Sequence, residues 1–142
     1  MSLTKFASKL FKPRQYELEK HYTQPEALQR RALHYLLEKG KYTEYGRNHM
    51  LASTHSYDDF VNNVPINTYE ELKGDIDRMR HGEPNVLWPG VVKWYAKSSG
   101  TTNDKSKFIP VSSDGLHNIH YKGGADVVTV YLRNNPGSRL FD

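Results

Sequence analysis

Residues 97–110 read "KSSGTTNDKSKFIP", small hydroxyl residues around a glycine, then lysines, then a short apolar run. The flanks of this stretch decide the fold. On one side "VVKWYAK" (91–97) sets Val, Trp and Tyr among lysines as a strand does, and on the other "KFIPV" (107–111) resumes an apolar, strand-like run. The order therefore predicts strand, loop, strand. Ser, Thr and Gly let a backbone approach a ligand closely, their hydroxyls donate to phosphate oxygens, and consecutive N–H groups form an anion-binding nest. Lysine adds a mobile positive charge. The combination points to phosphate. It is not a Walker loop, because Gly100 has no second glycine before Lys105, and no G-x-G-x-x-G occurs.

Ahead of the loop, the first eighty residues read as helices. The opening "MSLTKFASKLFKPR" has Leu3, Phe6, Ala7, Leu10 and Phe11 at helical spacing; being basic and free of acids it could suit an organelle transit peptide, but an ordinary opening helix is the expectation. In "TQPEALQRRALHYLLEKG" Pro25 suits a first helical position, Leu28, Ala32, Tyr35 and Leu36 form one stripe, and Gly40 is the stop. A short helix is predicted to begin at Ser56 and break before Pro65. In "NTYEELKGDIDRMRHG" Thr68 and Glu71 make a capping box, Leu72, Ile76 and Met79 the stripe, and Gly82 the end. Beyond the loop, residues from Ser113 onward are read as a helix, although "DVVTVYL" by itself has the composition of a strand. The fold class is thus α/β (mixed): a helix-rich amino-terminal portion, a strand–phosphate loop–strand unit and a helix, with no internal domain boundary over 1–142 and no repeat.

Composition bounds the function. Leu, Ile, Val and Phe make up about a fifth of the 142 residues, enough for a thin core, which ten tyrosines and two tryptophans supplement. Mean hydropathy is −0.78. With no cysteine, disulfides, thiolate zinc sites and cysteine nucleophiles are excluded. No run is long enough to cross a bilayer, so no membrane partner and a cytoplasmic address are expected. The net charge of +4 is spread among interleaved acids. It favours anionic partners in general. No nucleic acid is expected: Tyr42, Tyr45 and Tyr57 lie among basic residues, but no recognition module or basic stripe accompanies them. Asp114, His117 and His120 would spread over about 120° of a helix surface, awkward for one metal ion. They read as ordinary polar helix residues, and no metal site is predicted within the chain.

The order "SSGTT", several polar residues, then "KFIP" resembles the phosphate-binding loop of the acyl-adenylating superfamily. Taken with "TEYGR" (43–47), "YDDFVNNVPINTYEEL" (57–72) and "GEP" (82–84), it is similar to the Gretchen Hagen family of auxin-responsive promoter proteins, the acyl acid amido synthetases, in the order of that family's amino-terminal part. The resemblance implies an ATP-dependent, AMP-forming ligase with magnesium. A carboxylic acid attacks ATP to give an acyl-adenylate and pyrophosphate, and an amino-acid amine then displaces AMP to form an amide. It further implies that Ser98, Ser99, Gly100, Thr101 and Thr102 hold the β- and γ-phosphates, and that Lys107 is the catalytic lysine. Many relatives carry a glycine shortly after the Thr pair where this chain has Asn103 and Asp104. Asn and Asp tolerate left-handed backbone, and the Asp104 carboxylate is expected to point away from phosphate or meet magnesium.

Family chains are several times longer, so residues 1–142 are expected to be the incomplete amino-terminal part of the large adenylating domain. Alone the chain is then expected to be inactive and to self-associate through apolar faces that the rest would cover. The rival expectation is a noncatalytic binding module that keeps only an anion-binding loop. An open reading frame continuing well past Asp142 would favour the ligase.

Overall fold

The structure, a computed structural model, describes residues 2–99 and 106–142. Its elements follow the predicted order: α1 (Leu3–Thr23), α2 (Pro25–Gly40), α3 (Glu44–Asn48), a 3₁₀ turn (Leu51–Ser53), α4 (Tyr57–Asn63), α5 (Tyr69–Arg80), β1 (Trp94–Lys97), β2 (Phe108–Val111), α6 (Ser113–Gly115), a wide π-helical stretch (Leu116–Tyr121) and α7 (Lys122–Asn134). The chain divides into two compact units, one of residues 1–29 with 114–142 and one of residues 30–113.

In the first unit α1 packs on α7. Pro13 lies inside α1, where it forfeits the N–H that would bond the carbonyl four residues back. The helix nevertheless continues to Thr23, and the next residue, Arg14, clamps Asp126 of α7 in a two-pronged ion pair with Nη2 to Oδ2 at 2.8 Å. That guanidinium holds the Asp126 carboxyl below the usual carboxylate range. Thr129 and Leu132 are the buried residues of α7. This packing explains why "DVVTVYL" is helical. Its β-branched residues have modest helix propensity, and tertiary burial of one face outweighs that preference. At the free end of α1, Asp142 accepts from the Ser2 hydroxyl (2.7 Å) and the Thr4 N–H (3.2 Å), a carboxylate set at the positive end of the helix dipole.

The second unit centres on Met79, Val86 and Val92, with Leu87, Trp88 and Tyr95 packed against them. The predicted capping box at Thr68 forms, and Ser56, the predicted start of α4, is capped by a second box with Asp59 that was not foreseen. The Asp59 carboxylate accepts the Ser56 N–H at 3.0 Å, and the Glu71 carboxylate accepts the Thr68 N–H at 2.6 Å. Ile76 and Met79 are the buried face of α5, as the stripe predicted, and Gly82 follows at a φ of 92°, left-handed backbone that suits glycine. On α2 the stripe is rotated from its expected position: Leu37 and Gly40 are buried, while Ala32, Tyr35 and Leu36 lie exposed. The helix is apolar on two sides, so a 3.6-residue period fits either. The folded chain buries the side that carries Leu37.

The segment "TEYGR" forms a tight knot. Thr43 Oγ1 donates to the Gly40 carbonyl at 2.7 Å and accepts the Gly46 N–H at 2.9 Å. The two N–H groups at the start of α3, those of Glu44 and Tyr45, donate to the carbonyls of Asn85 and Val86. These are amides a helix cannot satisfy internally, and the partner loop completes them. Residues 85–90 are themselves closed by Asn85 Oδ1, which accepts the Gly90 N–H at 2.8 Å.

Candidate phosphate-binding hairpin

β1 and β2 pair antiparallel in the register Trp94 with Val111, Tyr95 with Pro110, Ala96 with Ile109 and Lys97 with Phe108. Because strand side chains alternate, Tyr95 and Phe108 share the face toward α5, whereas Trp94 and Ile109 share the other and are exposed. Of the aromatics that flank the loop, Trp88 and Tyr95 thus serve the core and Trp94 faces outward. Pro110 has no N–H to donate, which a two-stranded ribbon accommodates because both its strands are edges.

At the root of the loop the ladder ends in a side-chain closure. The Ser98 N–H donates to the Lys107 carbonyl and the Lys107 N–H donates to Ser98 Oγ, both at 2.9 Å. Two of the sequence-predicted site residues, Ser98 and Lys107, are therefore brought into direct contact, and Ser99 follows Ser98 in an exposed position. Gly100, Thr101 and Thr102 lie outside the described residues, as do Asn103 and Asp104.

Two side chains from α5 reach the same root. Tyr69 Oη accepts the Phe108 N–H at 3.0 Å, and its ring lies 5.3 Å from Lys107 Nζ. The Arg80 guanidinium stacks on the Phe108 ring at 3.7 Å while donating to Asp77 at 3.0 Å. Sequence reasoning missed both. It took "NTYEELKGDIDRMRHG" for a cap and a stripe of Leu72, Ile76 and Met79, and stopped short of the two residues at the helix ends. Their one visible signal is spacing: at about 100° per residue Tyr69 and Arg80 fall on the edge of that stripe, on the same side as Ile76.

The other predicted markers hold the unit together. Arg78 gathers three carboxylates: Glu44 through a bidentate contact of 2.6 and 2.9 Å, Asp75 at 3.0 Å and Glu83 at 2.9 Å. Its hydrogen bonds keep the Glu44 and Glu83 carboxyls below the usual carboxylate range. Asn67 Nδ2 donates to Tyr45 Oη at 2.8 Å. His117 and His120 each meet Tyr121 edge-on, with centroids 5.7 and 5.5 Å away. Among the described residues no three His, Asp or Glu side chains converge as metal ligands, and no helix is long and apolar enough to cross a membrane.

Residues 14–139 match the model of the GH3 family N-terminal domain. Among curated relatives, a probable indole-3-acetic acid-amido synthetase GH3.2 of Oryza sativa subsp. japonica is 30% identical over 92 residues, 64% of this chain and 15% of that protein. Indole-3-acetic acid-amido synthetase GH3.15 of Arabidopsis thaliana is 31% identical over 100 residues, 70% of this chain and 17% of that protein. The aligned stretch thus spans about a sixth of those relatives' length. With the family's amino-terminal domain matched over nearly the whole chain, and with the elements in the order that its motifs predict, this chain belongs to the GH3 family.

Proposed function

We propose that this chain is the amino-terminal part of the large domain of an ATP-dependent acyl acid–amido synthetase, and that the β1–β2 hairpin carries its phosphate-binding loop. The relatives named as amido synthetases support the reaction class. The observation that carries the site is the closed root. Ser98 and Lys107, nine residues apart, are locked by two hydrogen bonds, so the hydroxyl-rich loop and its lysine spring from one fixed point.

In this reading ATP is a substrate. The carboxylate oxygen of the acyl acid attacks the α-phosphorus, the bond to the β-phosphate oxygen breaks, and pyrophosphate leaves with the electron pair. Ser99, Gly100, Thr101 and Thr102 offer hydroxyl and N–H donors to the β- and γ-phosphates, and Ser98 anchors the loop. The ammonium of Lys107 meets the negative charge that builds on the leaving pyrophosphate, where a preorganised cation counts most. An amino-acid amine then attacks the acyl carbon of the mixed anhydride and expels AMP. Magnesium, when bound, would neutralise triphosphate charge. The donor set among the described residues of the hairpin is hydroxyl and ammonium, which suits phosphate rather than the ion. The metal is therefore assigned to the nucleotide and not to the described residues of the hairpin.

Lys107→Ala, made in the enzyme that contains this chain, is expected to lower acid-dependent pyrophosphate exchange about 10²- to 10³-fold. Wild-type exchange at saturating ATP would remove Lys107 from the reaction.

A further inference from the structure

The ammonium of Lys107 stands at the end of a long flexible stem, and a lysine left loose in water delivers its charge to a phosphate only after losing rotamer freedom. Here one side chain restrains it at both ends. Tyr69 fixes the backbone, because its hydroxyl accepts the N–H of Phe108, the residue next to the lysine. It also faces the head group, because its ring centroid is 5.3 Å from Nζ, within the range where the negative face of an aromatic ring attracts a cation. Tyr69 is the first residue of α5, and the helix start that carries it is pinned by the Glu71 carboxylate, which accepts from both the N–H and the hydroxyl of Thr68. On the other side of the strand root, Arg80 from the far end of α5 holds Phe108 by its ring. The helix thus grips the hairpin at two adjacent residues, and the lysine is one of them.

We propose that Tyr69 is a positioning residue that holds the Lys107 ammonium at the root of the loop, ready for the phosphate groups of a nucleotide or pyrophosphate. It touches neither phosphate nor reacting atoms. Its two contacts separate cleanly by substitution: Tyr69→Phe removes the hydroxyl's hold on the Phe108 amide and keeps the ring, whereas Tyr69→Leu removes both. The inference rests on the phosphate reading of Lys107, so its test needs one readout that involves phosphate and one that does not.

The phosphate-free readout is the NMR signal of the Lys107 ε-methylene in the lysine-labelled chain, assigned by comparison with Lys107→Ala. The aromatic ring is expected to shift this signal upfield. Tyr69→Phe should keep the shift, and Tyr69→Leu should return it to the position of the solvated lysines. The second readout is titration with inorganic pyrophosphate. Tyr69→Leu is expected to weaken binding about two- to five-fold, the scale of a cation–aromatic contact at a half-exposed site, and Tyr69→Phe to keep most of it. In a Lys107→Ala background Tyr69→Leu should cost nothing further.

A lysine signal unmoved by Tyr69→Leu would overturn the inference, whatever pyrophosphate does. So would an equal loss of binding from Tyr69→Leu with and without the lysine, since that would make the ring a general support of the hairpin. If the signal moves as expected but Lys107→Ala leaves pyrophosphate binding unchanged, the phosphate reading fails and Tyr69 is left holding a lysine with another task, which also overturns the proposal as stated.

Discussion

The knot at Thr43 and the root of the hairpin at Lys107 lie in the same compact unit, and they are built on opposite principles. In the knot the Thr43 hydroxyl and the Glu44 and Tyr45 amides are spent on other parts of the chain. Thr43 is 1% exposed, its hydroxyl both donates and accepts, and a Cβ placed on Gly46 would lie 2.0 Å from the Gly40 carbonyl oxygen. At the hairpin root the backbone is closed by Ser98 and Tyr69, yet the side chains of Ser99, Lys97 and Lys107 remain in reach of solvent. A segment can mark a family for either reason. "TEYGR" marks it through Gly46, where no Cβ fits the close approach of two backbones, and the hairpin stretch marks it because of what the proposed reaction needs there.

The sharpest way to break this contrast is Gly46→Ala. A methyl group cannot lie 2.0 Å from a backbone oxygen, so α3 or the end of α2 must move, and the Glu44 and Tyr45 amides would lose Asn85 and Val86. Overpacking against side chains costs about 1–3 kcal/mol, and here the obstacle is main chain, so a loss at or above the top of that range is expected. Circular dichroism should show no cooperative melt near the wild-type temperature. Lys107→Ala should leave the same melt within about a degree, since it removes only a half-exposed contact. If the two substitutions melted alike, the division into a structural and a chemical marker would fall.

A smaller effect sharpens the knot itself. Glu44 and Glu83 are held below the usual carboxylate range by hydrogen bonds from Arg78. A carboxyl whose folded pKa is depressed adds stability that is present above its ordinary value and is lost as pH falls through the folded one. The wild-type melting temperature is therefore expected to drop as pH falls from about 5 to 3. Arg78→Met should start lower at pH 7 and fall less steeply over the same interval. Some slope must remain, because Asp59, Glu71 and Asp126 are depressed through other partners. The cluster is half-exposed, so the change is modest and shrinks with added salt. Parallel pH profiles for the two proteins would show that the clamp contributes no linkage.

What could be read from the sequence was local. The helix start at Ser56 and the capping box of Thr68 with Glu71 are set within one helical turn, and the two strands around the loop follow from alternation and breakers. What escaped was set by distance along the chain. Nothing in "TEYGR" announces that Glu44 will meet Arg78, thirty-four residues on, or that Tyr69 will accept the amide of Phe108. Periodicity found the buried face of α5, where one side is apolar, and missed that of α2, where two are. The candidate site divided the same way. Its loop composition suggested the phosphate reading, whereas the α5 residues that grip its root carry no such composition and appear only when the chain is folded.

The smallest expected effect concerns a buried side-chain hydroxyl of the second unit that is unmatched among the described residues. Tyr95 lies on the inner face of β1 against Met79, Val86 and Val92, and its hydroxyl is buried with no hydrogen-bond partner among the described residues. Burial alone pushes that hydroxyl's pKa up, with Arg80 pulling weakly the other way. A buried donor without a partner forfeits its bond to water and gains nothing in return. Tyr95→Phe keeps the ring that packs on the cluster and deletes only the oxygen, so it is expected to be neutral or to stabilise the chain by up to about 1 kcal/mol. Urea unfolding followed by tryptophan fluorescence can measure a change of that size, because Trp88 packs against the same cluster. The contrast between knot and hairpin gives the sign its meaning. Removal of a hydroxyl from Thr43, where both roles are filled, must destabilise, and removal of one from Tyr95 must not. A loss above about 1 kcal/mol in Tyr95→Phe would mean that the hydroxyl has a partner and that the inner face of the hairpin is as fully spent as the knot.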